Sequence, residues 1–169
     1  MVADAYQKRL EHQQLTQQNN QVFKVKLFDA LNFCGNNYEY ILTPYHSYNL
    51  IVRDKQWRNI YIEHKETDIK YLDSIQRHGL MFNLGKLKFY KKYMSGSFII
   101  IATTINDKIY WVQYDISFNE FWVHYDISFH KVELYNFNEE FVFIPFNLFS
   151  NDIDLLAEKI VIYFNQNHY

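Results

Sequence analysis

The alternation of helical and extended patterns along the chain predicts an α/β or α+β fold, with a central mixed β-sheet flanked by helices. Three observations carry that expectation. Helical periodicity opens and closes the sequence. Two short β-rich runs, 48–53 and 59–64, are separated by a polar turn, as in an antiparallel hairpin. A second helical stretch is then followed by a continuous apolar run, Phe98-Ile99-Ile100-Ile101-Ala102, which has the character of a buried strand.

Residues 4–33 read as helical, with Leu10, Leu15, Val22, Val25, Leu27, Phe28 and Leu31 at mixed helical spacings and a break near Gln17-Gln18-Asn19-Asn20. Cys34-Gly35-Asn36-Asn37 stops this helix. Tyr38 to Leu42 forms a strand that Thr43-Pro44 interrupts. The hairpin follows, turning at Asp54-Lys55-Gln56-Trp57-Arg58. Residues 68–93 are helical in pattern, with an interruption at Gly79 or Gly85, and Ser95-Gly96 ends them. The strands 98–103 and 109–114 are joined by the turn Asn106-Asp107. Ser150 is the expected N-cap of a closing helix with Ile153, Leu156, Ile160 and Phe164 on one face. Trp111-Val112-Gln113-Tyr114-Asp115-Ile116-Ser117-Phe118 recurs eleven residues later as Trp122-Val123-His124-Tyr125-Asp126-Ile127-Ser128-Phe129. Two copies are too few for a solenoid and read as a local duplication.

At 169 residues the chain fits one domain spanning 1–169, and 49% hydrophobic content is globular rather than disordered. The single cysteine, Cys34, excludes an intrachain disulfide framework and a cysteine-based zinc site, so a cytoplasmic location is expected. The first residues hold no apolar signal core, and the longest apolar run is too short to cross a bilayer, so no membrane partner is expected. The net charge of -2 argues mildly against nucleic acid, but DNA binding needs local rather than total positive charge. Lys86, Lys88, Lys91 and Lys92 supply such a cluster.

The chemistry-bearing segment is Ile60-Tyr61-Ile62-Glu63-His64-Lys65-Glu66-Thr67. Strand alternation points Glu63 and Lys65 to one face and His64 to the other. A carboxylate beside an ammonium at a strand end suits phosphodiester hydrolysis. The carboxylate holds a divalent cation that polarises the phosphate and acidifies a water, and the lysine orients that water or stabilises the developing charge. Oxygen ligands suit Mg²⁺ or Mn²⁺. Glu-x-Lys by itself is ordinarily a solvated strand face. Its place on the second hairpin arm, before a helix and a buried strand, is what gives it weight. A second acidic ligand is expected from the first arm, where pairing about Gln56 brings Asn49 or Leu50 opposite Glu63. Asn49 offers only a neutral oxygen, and Asp54, the nearest carboxylate, is as much a turn former as a ligand.

Ile62-Glu63-His64-Lys65-Glu66-Thr67 resembles the RecU family of bacterial Holliday junction resolvases, within the PD-(D/E)xK nuclease superfamily. The likeness extends to Leu10-Glu11 and Gln17-Gln18-Asn19-Asn20, to Tyr40-Ile41-Leu42-Thr43-Pro44, to Ser47-Tyr48-Asn49, to Gly96-Ser97-Phe98-Ile99-Ile100-Ile101 with Ile109-Tyr110-Trp111, and to Phe121-Trp122. It covers roughly residues 8 to 122, with one distinctive segment. It implies a restriction-endonuclease-like core, metal positions at Ser47, Asn49, Glu63 and Asn83, and Lys65 as the catalytic lysine. Gln76 is an alternative for the helix position and a further DNA contact, and Lys86, Lys88, Lys91 and Lys92 would meet phosphates. The implied substrate is four-way junction DNA, cut by a homodimer, because two symmetric nicks call for two sites related by a two-fold axis. This chain departs from the family at Asn49, where the family has Asp, at Asn83, where it has Gln, and in the near adjacency of Pro44 and Ser47, where the family has a long projection.

Other readings stay open at this point. The same fold could bind junctions with a weakened or inactive site, which Asn49 favours, or act as a related nuclease in restriction or phage defence. His64 with Ile75-Gln76-Arg77-His78-Gly79-Leu80 also mimics the spacing of some ADP-ribosyl transferases, which would depend on NAD rather than on a metal.

Overall fold

The computed structural model describes residues 22–34, 38–43, 48–114, 130–134 and 137–166, the backbone alone being described at 130–134 and 137–141. The expected helix before Gln21, Ser47 and most of the duplicated segment lie outside the described residues.

Helix α1 spans residues 22–33. Strands β1 (Glu39–Leu42), β2 (Leu50–Arg53) and β3 (Asn59–Glu66) form an antiparallel meander. The expected hairpin is therefore present, and its register, Leu50 opposite Ile62 and Arg53 opposite Asn59, places Asn49 beside Glu63. A 3₁₀ turn (Ile69–Tyr71), helix α2 (Leu72–His78), strand β4 (Leu80–Asn83) and helix α3 (Leu84–Tyr93) then lead to β5 (Phe98–Ile105). Strand β5 pairs parallel to β3, and β6 (Lys108–Tyr114) returns antiparallel to β5. The five-stranded sheet thus has the order β1-β2-β3-β5-β6 and is mixed, as expected. Strands β7 (His130–Leu134) and β8 (Phe137–Ile144) join β4 in a second sheet of order β4-β8-β7. Helix α4 (Ile153–Gln166) closes the chain. Among the described residues no helix is long and apolar enough to cross a membrane.

Two expectations are corrected. The pattern over 68–93 reads as one interrupted helix, but Gly79 turns the chain out of α2 at φ +95° and into a strand. Leu80 and Phe82 alternate inward with the period of a strand, and β4 pairs with β8, a partner distant in sequence. A Cβ at Gly79 would lie 2.4 Å from the Ile144 carbonyl oxygen, so close packing against β8 adds to the backbone demand for glycine. The cap of α4 is Asp152, which accepts the Leu155 N–H at 3.0 Å, and not Ser150. The Ser150 backbone instead exchanges hydrogen bonds with Trp111 at 2.8 and 2.9 Å.

The sheet separates two cores. On one face Ile60, Ile62, Ile100 and Ala102 pack against Phe23 and Leu27 of α1 and Leu156, Ile160 and Phe164 of α4. On the other Ile99, Ile101 and Ile105 pack against Ile75, Leu80, Phe82, Leu87 and Tyr90. The first face is filled by a helical pair. The second is covered by α2, β4 and α3, and the end of β3 delivers its charged residues to that side.

Candidate functional site

Strand alternation along β3 decides which side chains meet. His64 turns into the α1 face, where its ring stacks on Phe23 with centroids 4.6 Å apart and planes 11° from parallel. Its Nε2 shares a 2.8 Å hydrogen bond with Thr104 Oγ1. Burial holds the imidazole pKa down to about 4, so the ring is neutral at neutral pH. The ring is thus packed between α1 and β5.

Glu63 points the other way and is 8% exposed. Its Oε1 accepts from the ammonium of Lys86, and its Oε2 is buried with no partner among the described residues. Desolvation raises the Glu63 pKa, opposed by the charge and hydrogen bond of Lys86 and by the charge of Lys65. Lys65 follows on the same face. Its side chain is exposed overall, but its ammonium is held below the ordinary lysine range by desolvation and then by the charge of Lys86, with Glu63 pulling the other way. One carboxylate therefore faces two ammonium groups. The buried Tyr90 hydroxyl also senses Glu63: desolvation raises its pKa, and the Glu63 charge raises it further. Thr67, the end of the Lys-Glu-Thr run, ties β3 to β5 through a 2.9 Å contact with Thr103 Oγ1 and through its N–H to the Thr104 carbonyl.

Asn49 sits beside Glu63 in register but turns its carboxamide onto the β3 backbone. Its Nδ2 donates to the His64 carbonyl at 2.6 Å, and its Oδ1 accepts the His64 N–H at 2.9 Å. The amide thus imitates one more residue of the β2–β3 ladder, a task an aspartate cannot perform because it has no donor. Asn83, expected as a helix-borne ligand, is the N-cap of α3, with its side chain accepting the Lys86 N–H at 3.2 Å. Asp54 is not brought to Glu63. It lies at the far end of the hairpin, about 15 Å from Asn49 at the rise of a strand. There it accepts the Gln56 and Arg58 N–H groups at 3.0 and 2.9 Å and pairs with the Arg58 guanidinium at 2.6 Å. Desolvation raises its pKa, but the hydrogen bonds and charge of Arg58 outweigh this and hold the carboxyl below its usual range. Gln76 is exposed on α2. Ser47 lies outside the described residues.

Of the four lysines, Lys88, Lys91 and Lys92 are exposed along one side of α3, at positions i, i+3 and i+4. Lys86 differs, because it belongs to the Glu63 cluster rather than to that open face. The sequence reading gave no signal for this difference: Lys86 falls in the first turn of α3, where the helix dipole disfavours a cation, only because β4 interrupts the helical pattern expected over 68–93.

Among the described residues no three His, Cys, Asp or Glu side chains converge on a metal position. The donor set is one carboxylate with a buried, unpartnered oxygen and one committed amide. That fits the way Mg²⁺ binds through one or two carboxylates, waters and substrate phosphates, and not a cage preformed by protein. Beside Lys65 opens a cleft of about 430 Å³ lined by Thr67, Tyr71, Ile75, Gly79 and Phe143. No protein-family model matches this chain, and comparison with curated proteins gives no match.

Proposed function

We propose that this protein is a metal-dependent DNA endonuclease with a restriction-endonuclease-like core, acting on four-way junctions in recombination and repair. The observation that carries the reading is the buried Oε2 of Glu63, left without a partner beside Lys65 on the second strand of an antiparallel hairpin that precedes a helical crossover. A buried carboxylate oxygen without a donor is costly and calls for a ligand. Glu63 would hold the cation, with only the remaining lone pair of Asn49 Oδ1, which already accepts the His64 N–H, as a neutral second oxygen, and Mg²⁺ or Mn²⁺ bound there would polarise the phosphate and acidify a water.

The chain's own residues do the rest. Lys65, with a lowered pKa and an exposed path, orients the attacking water or neutralises charge on the phosphate. Lys86 is the counter-ion of Glu63, and its ammonium would also neutralise charge on a phosphate bound beside that carboxylate. Lys88, Lys91 and Lys92 extend positive charge along α3 for phosphates outside the reacting centre. Two symmetric cuts need a homodimer.

The test is a labelled four-way junction and a matched linear duplex, each incubated with Mg²⁺, Mn²⁺ or EDTA. The reading expects paired, symmetric nicks in the junction that need metal, with little cutting of the duplex. Equal cutting of both substrates points instead to a related nuclease of restriction or defence. A second reading keeps the fold without the cleavage. It is favoured by Asn49 being locked to the His64 backbone and by Lys86 already neutralising Glu63. That reading expects tight junction binding and no nicks with either metal.

A further inference from the structure

The β2–β3 turn breaks a local rule. Trp57 N–H donates to the Asp54 carbonyl at 3.1 Å, and Asp54 N–H donates to the Arg58 carbonyl at 3.1 Å. Such a turn needs a residue in the left-handed region, a place for glycine or asparagine. Here it is held by Trp57 at φ +64°. A bulky side chain there is strained, and strain of this kind persists only where its surroundings impose it. The Asp54 carboxylate does so by gripping the Gln56 and Arg58 N–H groups and the Arg58 guanidinium.

The indole recovers nothing from the core, since Trp57 is 74% exposed. It is nevertheless held in place. The Arg53 guanidinium lies 5.1 Å from the indole ring centroid, and Arg53 Nε donates to Asn59 Oδ1 at 2.9 Å, which fixes the guanidinium. Trp57 and Arg53, together with Tyr38 and Lys55, line an open cleft of about 330 Å³. Its acidic members are Glu39 and Asp54, and Asp54 is neutralised by Arg58.

We propose that this hairpin tip is a stacking site for an unpaired nucleobase, with the base on the Trp57 indole and its phosphate beside Lys55 and Arg53. An exposed aromatic face backed by a guanidinium and flanked by an ammonium matches a planar base that carries an anionic phosphate. The site goes beyond the nuclease reading and does not need it, because stacking requires neither the metal nor Glu63.

The test measures binding of a short oligothymidylate in EDTA at low salt, by quenching of tryptophan fluorescence, for the wild type and Trp57→Gly, with the melting temperature of each. Glycine relieves the strained turn, so the proposal expects opposite effects: an unchanged or higher melting temperature, and affinity about tenfold weaker with most of the quenching lost. Equal affinity in the two proteins overturns the site, as does the absence of quenching in the wild type. A lower melting temperature in Trp57→Gly also overturns it, since the indole would then be serving the fold. Because no metal is present, failure here is separate from failure of junction cleavage.

Discussion

Two residues of β3 carry opposite pH signatures, and each gives a prediction. His64 is neutral in the fold with its pKa held down to about 4, whereas in the unfolded chain it titrates at its ordinary value. The unfolded state therefore binds the proton first. The stability His64 permits is complete above about pH 6.5 and is lost as pH falls toward 4. The loss approaches about 3 kcal/mol at the acid end. Urea melts of the wild type and His64→Phe between pH 4 and 7 check this, and the variant should lose most of the slope. Glu63 runs the other way. Burial raises its folded pKa, so the fold favours the protonated acid, and stability falls as pH rises through that value. Glu63→Gln is expected to melt no lower than the wild type at pH 8, and by a margin that shrinks as the pH approaches 4. The lone Lys86 left behind is half-exposed and can turn to water. A gain in stability with loss of function marks a group kept for chemistry.

At the scale of the element, the β2–β3 hairpin was legible because its signals are local: alternating β-rich residues, a polar turn, and a carboxylate that caps it. The same counting left Asn49 or Leu50 opposite Glu63, and the structure puts Leu50 against Ile62 and so Asn49 beside Glu63. The use of Asn49 was not legible, since a side chain that imitates a backbone peptide leaves no sequence pattern. Asn49→Asp should remove the donor to the His64 carbonyl and set like charges near Glu63, at a cost of about 1–3 kcal/mol. It should also strengthen Mn²⁺ binding, measurable by the loss of the free-ion paramagnetic signal. Strand β4 was hidden for a different reason. Its partner β8 lies some sixty residues on in the chain, and short apolar segments are ambiguous between helix and strand until that partner is known. Gly79→Ala tests the bend that starts it. The added Cβ meets the Ile144 carbonyl in a positive-φ site, so a loss of more than about 1 kcal/mol is expected in chemical denaturation.

For the whole molecule, the mixed sheet flanked by helices was readable from the order of elements, and so was the burial of the 98–102 run, whereas the second sheet β4-β8-β7 was not. What sequence could not supply was which charges converge. Lys86, Lys88, Lys91 and Lys92 look alike in one dimension, yet the turn from β4 into α3 sends Lys86 to Glu63 and leaves the others on the open side. Junction binding should therefore weaken with salt. Replacing Lys88, Lys91 and Lys92 by alanine should lower the slope of log K against log salt by roughly one for each phosphate no longer neutralised, without changing metal dependence. The role of the E-x-K pair is tested by the single-turnover nicking rate of a four-way junction in Mn²⁺ by the wild type and by Glu63→Gln. A catalytic Glu63 predicts metal-dependent nicking by the wild type and a loss of at least about a hundredfold in a variant that is folded and still binds the junction. Nicking by Glu63→Gln at the wild-type rate would contradict it.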